Sequence, residues 1–176
     1  LLKLIEDRKK RLSELGMFDS IHKKQLPYLP KKIGIITSPT GAVIHDMINR
    51  IRDRFPINID LWPTSVQGKG AAKMIIEAIK GFNSNSFRLK PDVIIIARGG
   101  GSVEDLMEFN NEDLAKEVFA SKIPIVSAIG HETDTNIIDL VSDLRAPTPT
   151  AAAEIVTPER LELIKDIKLL SERLNY

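Results

Sequence analysis

At 176 residues, with 43% hydrophobic and 28% charged side chains, the chain has the composition of one globular domain long enough to bury a core. Its formal net charge of +1 is too small to imply nucleic-acid binding by itself, and the lack of cysteine excludes disulfides, thiol catalysis and zinc–thiolate sites. No apolar run approaches the roughly 18 residues of a membrane span, and no secretory signal is visible. The chain opens on Leu1-Leu2-Lys3, in mid-pattern and without an initiator Met, and is read as a fragment of a longer cytoplasmic protein.

Leu1, Leu2, Ile5, Leu12 and Leu15 recur at helical spacing, and Gly16 is placed to close that helix. Residues 17–32 form a basic, proline-containing connection. Four short apolar runs follow, at 33–37, 57–61, 92–97 and 124–129, rich in Val and Ile and nearly continuous in apolarity. That is the pattern of strands buried on both faces. Helical patterns lie between them. Val43, Ile44, Met47, Ile48 and Ile51 share one face of the first. Ala72, Ile75, Ile76, Ile79 and Phe82 share one face of the second, and Leu114, Ala115, Val118 and Phe119 mark the third. Strand–helix alternation implies βαβ units and a parallel sheet covered on both sides. Segment 83–91, with Asn83-Ser84-Asn85-Ser86, is expected to be a surface loop.

The C-terminal part differs. Residues 145–150 carry Pro147 and Pro149, which argue against regular helix there. Residues 151–156 suit a short helix or a packed linker. Thr157-Pro158-Glu159 opens a last helix, with Leu161, Ile164, Ile167, Leu170 and Leu174 as its apolar stripe.

In open parallel sheets, ligands bind beyond the carboxyl ends of the strands. All four expected strand ends are rich in Gly, hydroxyls and charge. The first run leads into Thr37-Ser38-Pro39-Thr40-Gly41 and then a helix carrying His45-Asp46. The second leads into Trp62-Pro63-Thr64-Ser65-Val66-Gln67-Gly68, and the third into Arg98-Gly99-Gly100-Gly101-Ser102-Val103-Glu104-Asp105. The fourth leads into Gly130-His131-Glu132-Thr133-Asp134. Glycines let backbone N–H groups approach an anion closely, and an arginine adds a bidentate fork suited to phosphate. The 98–102 run is neither a Walker A loop nor a dinucleotide fingerprint. Zinc-protease chemistry is unsupported, because Thr135 stands where a second histidine would be needed. Taken singly, each feature also has a plain structural reading. Hydroxyls before a helix serve as caps, Asp46 suits a solvated helix face, His131 a structural histidine, and Asp134 a helix cap.

Together, the 32–42 run, His45-Asp46, the 63–68 run, the 98–106 run, residues 130–134 and Asp143-Leu144-Arg145-Ala146-Pro147-Thr148-Pro149-Thr150-Ala151-Ala152-Ala153-Glu154 resemble the large-subunit family of exodeoxyribonuclease VII. The resemblance covers about residues 30–156, with the motifs in the same order. It implies a bacterial enzyme that degrades single-stranded DNA from both ends to short 5′-phosphorylated oligonucleotides. It also implies an amino-terminal OB-fold domain and a long carboxy-terminal coiled coil on which small subunits dock, the first absent here and the second barely begun. Carried over by motif, Asp46, Arg98, His131 and Asp134 are the expected catalytic positions. Thr37, Ser38, Thr40, Gly41, Gly99, Gly100, Gly101 and Ser102 are the expected phosphate- and substrate-binding ones. Asp46 and Asp134 are the candidate ligands of a Mg²⁺ whose requirement the motifs leave open.

The expected architecture is therefore α/β: a Rossmann-like parallel sheet of about four strands flanked by helices, with a long C-terminal helix beginning a coiled coil. Three parts are expected, namely an N-terminal helix and basic linker (1–30), the α/β catalytic core (31–145), and a Pro/Ala-rich linker with the start of the coiled-coil helix (146–176). Single-stranded DNA and the small subunit are the expected partners, with no membrane, in the cytoplasm; the fragment alone is expected to have little or no activity. The rival readings are a nucleotide- or phosphate-binding module without hydrolysis and a scaffold for partner helices.

Overall fold

The structure is a computed structural model, and it describes residues 2–84, 90–100, 103–130 and 135–174. Its centre is a five-stranded sheet: β1 (Lys32–Thr37), β2 (Asn58–Pro63), β3 (Val93–Ala97), β4 (Ile125–Ala128) and β5 (Leu144–Arg145). Every pairing is parallel, in the order β2-β1-β3-β4-β5. Parallel strands need crossover connections, and these are supplied by helices α2 (Ala42–Arg54), α3 (Ala71–Asn83), α4 (Glu112–Ala120) and the short α5 (Ile137–Val141). Helix α1 (Leu2–Glu14) precedes the sheet, and α6 (Pro149–Val156) and α7 (Arg160–Leu174) follow it.

Alternate residues of the central strands feed two apolar layers, as a period of two requires. Ile36, Ile94, Ile96 and Ile125 pack with α1, α3, α4 and α5 on one side. Ile33, Ile35, Val93, Ile95 and Val126 pack with Ile44, Met47 and Ile51 of α2 and Ala152, Ala153 and Val156 of α6 on the other. Each such aliphatic side chain contributes about 1.5–3 kcal/mol on burial, so the Ile/Val-rich strands account for the sheet's position in the core. The parallel sheet covered on both faces is thus the architecture expected from the sequence.

Four details depart from that expectation. The second strand is not buried on both faces, because β2 is an edge strand. All its residues are exposed or half-buried, Asp60 pairs with Lys32 at 2.8 Å, and Pro63 closes the strand where no further donor is needed. The other edge is a fifth strand, β5, which the apolar pattern missed. Two residues are too few to show a period, and backbone bonds hold them: Asp143 N–H to the Ile125 carbonyl at 3.0 Å and Ala146 N–H to Ser127 at 2.8 Å. Next, Pro149 does not prevent helix but opens α6 at its first position, where its missing N–H costs nothing. Finally, α7 begins at Arg160, two residues later than expected, and none of its described residues is buried.

The N-terminal segment straps onto the same body. Leu12 is fully buried, Arg11 pairs with Glu112 at 2.8 Å, and Lys23 Nζ donates to the carbonyls of Leu140 and Ser142 at 2.8 and 2.5 Å. Burial lowers the Lys23 pKa, with Asp143 acting in the opposite direction. No helix among the described residues is long and apolar enough to cross a membrane.

Candidate active site

The strand order reverses direction between β1 and β3, and in doubly wound sheets of this order the ligand crevice lies there, outside the carboxyl ends. Two cavities open at that point. The smaller, ≈190 Å³, is lined by Val43 and Asp46 of α2, Arg98-Gly99-Gly100 after β3, Ile129-Gly130 after β4, and Pro147 to Thr150 at the start of α6. The larger, ≈750 Å³, is lined by residues 37–43 after β1, residues 63–67 after β2, Met74 of α3, and again Arg98-Gly99-Gly100.

Each wall has a local cause. Arg98 follows the last residue of a central strand and is 5% exposed. Its backbone N–H is tied to the Ala128 carbonyl at 3.1 Å, so its side chain starts from a fixed point. Asp46 sits one helical turn beyond Val43, and that i, i+3 spacing sets both on the same side of α2 while Ile44, Met47 and Ile51 face the core. The opposite wall is fixed by a cap: Thr148 accepts from the Ala151 N–H at 3.0 Å and starts α6. The start of α6 opens on the smaller cavity and the start of α2 on the larger, and helix N-termini favour anions. An arginine, a glycine turn and two helix starts make this the anion-suited end of the sheet.

A buried polar network lies around Asp139 of α5. Asp139, 5% exposed, accepts from the Ser127 hydroxyl, from the Asn136 backbone N–H at 2.9 Å, and faces Arg145 Nε at 3.7 Å. Asn110 joins it, donating to Asn136 Oδ1 at 3.3 Å and accepting from the Ile137 N–H at 2.9 Å. Lys9 of α1 reaches the Thr135 carbonyl at 3.3 Å. Residues 135–136 are therefore anchored.

The structure brings Asp46, Arg98, Gly99 and Gly100 together around the smaller cavity, and Thr37, Ser38, Thr40 and Gly41 around the larger. His131, Asp134, Gly101 and Ser102 lie outside the described residues. Sequence reasoning did not count Pro147 to Thr150 or residues 63–67 among the site residues, yet they form whole walls. Both stood in motifs, but nothing local marks a proline-rich stretch as the far side of a cavity. Val43 stood only in the periodic face of α2, and Met74 carried no signal at all.

Among the described residues no group of three or more His, Asp or Glu is placed to hold a metal ion. Among the described residues Asp46 is the one carboxylate lining the smaller cavity. That is compatible with Mg²⁺, which is commonly held through one or two carboxylates together with substrate phosphates and water.

Fold and cleft together define an open α/β protein with an anion-suited site at its switch point. Residues 17–176 match the family described as Exonuclease VII, large subunit, and the chain belongs to that family. It is 60% identical over 167 residues to the exodeoxyribonuclease 7 large subunit of Anaplasma marginale (strain Florida), covering 95% of this chain and 42% of that protein. The large subunit of Rhodospirillum centenum is 55% identical over 170 residues, 95% of this chain and 32% of its own length. That of Agrobacterium fabrum is 50% identical over 178 residues, 99% and 34%. The chain thus spans 42% or less of the length of these relatives.

Proposed function

We propose that this chain is the catalytic core of an exonuclease that hydrolyses phosphodiester bonds of single-stranded DNA, working from both ends and leaving short 5′-phosphorylated oligonucleotides. The observation that carries the reading is Arg98: buried at the end of a central strand, it lines both cavities beside a glycine turn. The names of the relatives support the reaction class.

Phosphodiester hydrolysis develops negative charge on the phosphoryl oxygens while water attacks in line. Arg98 and the N–H groups after β3 supply preorganised positive charge, and losing one such donor costs about 10²–10³ in kcat. His131 is the proton-transfer group, its ordinary pKa of about 6.5 lying close to working pH. Asp46 and Asp134 orient it or hold a Mg²⁺ through their carboxylates. A bound Mg²⁺ would supply further neutralisation of the developing phosphoryl charge. The small subunit is the proposed partner, docking on a coiled coil begun by α7, whose Leu161, Ile167 and Leu170 are exposed. A cytoplasmic setting goes with this reading.

The test is degradation of end-labelled single strands by full-length large subunit assembled with small subunit, with and without EDTA. Arg98→Lys is expected to lose about 10²-fold or more, since an ammonium cannot replace a planar fork. Retention of activity within about threefold by His131→Ala or Asp134→Ala overturns the assigned site. Mononucleotide binding without turnover of any strand would identify a phosphate-binding module instead.

A further inference from the structure

The two cavities differ in size and in chemistry, and they meet at one arginine. The smaller, ≈190 Å³, falls below the roughly 300–1,000 Å³ of small-molecule sites. The larger, ≈750 Å³, lies inside that range. Val43, Arg98, Gly99 and Gly100 line both, so a phosphodiester held at Arg98 has the larger cavity directly beside it.

We infer that the larger cavity is a nucleoside subsite, holding the sugar and base of the nucleotide attached to the phosphodiester bound at Arg98. This rests on the nuclease reading above and adds the location of the neighbouring nucleotide. Among the described residues Arg98 is the single charged group lining the cavity, so the wall away from Arg98 carries no further side-chain charge. Pro39, Pro63, Val66 and Met74 give it apolar surface, and Ser65 and Gln67 add polar groups. That mixture of apolar wall and few polar groups matches a nucleoside. Among the described residues no aromatic ring lines it, which sets it apart from a stacking platform of the kind that tracks successive bases. It takes one unit and does so with little dependence on base identity.

The walls are built in advance. The Thr64 N–H is bonded to the Thr37 carbonyl at 3.0 Å, joining the loops after β1 and β2. Ser65 Oγ donates to the Gln67 carbonyl at 2.8 Å. Glu108 accepts from the N–H groups of Gly70 and Ala72, both at 3.1 Å, and fixes the start of α3, which carries Met74.

The experiment titrates the full-length protein, assembled with its small subunit, with thymidine 5′-monophosphate and separately with inorganic phosphate. The nucleotide is expected to bind about tenfold or more tightly than phosphate. Met74→Trp, and independently Gln67→Trp on the exposed loop, fill the cavity and are expected to erase that preference while leaving phosphate affinity unchanged. Both should raise KM for oligonucleotides more than they lower kcat. Equal affinity for nucleotide and phosphate in the parent protein overturns the inference, even if Arg98 variants lose nuclease activity. So does a preference that survives both tryptophan variants. A nucleotide preference that both variants erase, in a protein that degrades no DNA, upholds the subsite and overturns the nuclease reading instead.

Discussion

A Cβ placed on Gly99 falls 2.8 Å from Cγ2 of Val43, so the turn after β3 touches the first helical turn of α2 with no space for a side chain between them. Both residues line both cavities, and their contact sets how far Arg98 stands from Asp46's helix. Valine is stiff about χ1, so it yields poorly. Gly99→Ala is expected to cost about 1–3 kcal/mol of stability as an overpacking change. The effect on turnover is expected to be larger, because a misplacement of about 1 Å in a catalytic site can cost 10²-fold. Thermal melting and single-strand degradation measured on the same protein check this. Unchanged activity would mean that the contact is structural only.

The buried Asp139 anchors the segment after β4. Asp139→Ala leaves the Ser127 hydroxyl and the Asn136 N–H without their acceptor in the interior, and each orphaned group costs about 1–3 kcal/mol. Arg145 loses its carboxylate as well. Urea unfolding should show the midpoint falling markedly for Asp139→Ala and much less for Asp139→Asn, which keeps one acceptor. A midpoint within error of the parent for the alanine variant contradicts the anchoring role.

Trp62, the chain's single tryptophan, crosses α3 at Gly81, where a Cβ would lie 2.0 Å from its ring. The ring also packs edge-on against Phe82 at 5.4 Å between centroids. Gly81→Ala gains helix propensity of about 0.8–1.0 kcal/mol, yet the displaced indole costs about 1–3 kcal/mol. Net destabilisation is expected, accompanied by a shift in tryptophan emission as the ring leaves its seat. A stabilised protein with unchanged emission is the contrary result.

Glu112 binds α1 to α4. It pairs with Lys116 at 2.9 Å and Arg11 at 2.8 Å, and the Lys116 hydrogen bond, with lesser help from Arg11, holds its pKa below the ordinary 4.5. A carboxylate depressed in the folded state contributes stability that is present above its unfolded pKa and lost as pH falls through the folded value. The stability difference between the parent and Glu112→Gln should therefore be largest at neutral pH and shrink on acidification below about 4.5. Denaturation midpoints at pH 7 and pH 3 decide it. A difference independent of pH means that packing of the side chain, and not its charge, is what matters.

Much of this protein follows from local pattern. The apolar runs of β1, β3 and β4 announce strands buried on both faces, because only a sheet covered twice leaves no polar alternation. The periodic faces of α2, α3 and α4 announce their burial. The Arg98 glycine turn and the hydroxyls after β1 mark a strand-end site, since those residue types are what anion contact requires. The family resemblance rests on those same runs. The rest depends on contacts between distant residues. Neither the strand order nor the two-residue β5 leaves a periodic trace, because backbone pairing to β4 creates them. Asp46 stays exposed on α2, and only tertiary packing sets it in the wall of the cavity that Arg98 also lines. The prolines at 147 and 149 read as a break in structure, and folding turns them into the start of α6 and the far wall of the smaller cavity. Which segments bury and which loops carry chemistry can be read along the chain, because hydrophobic period and side-chain type are local quantities. That two cavities share Arg98 follows only from folding, because cavities are formed by chain segments that meet in space and not in order.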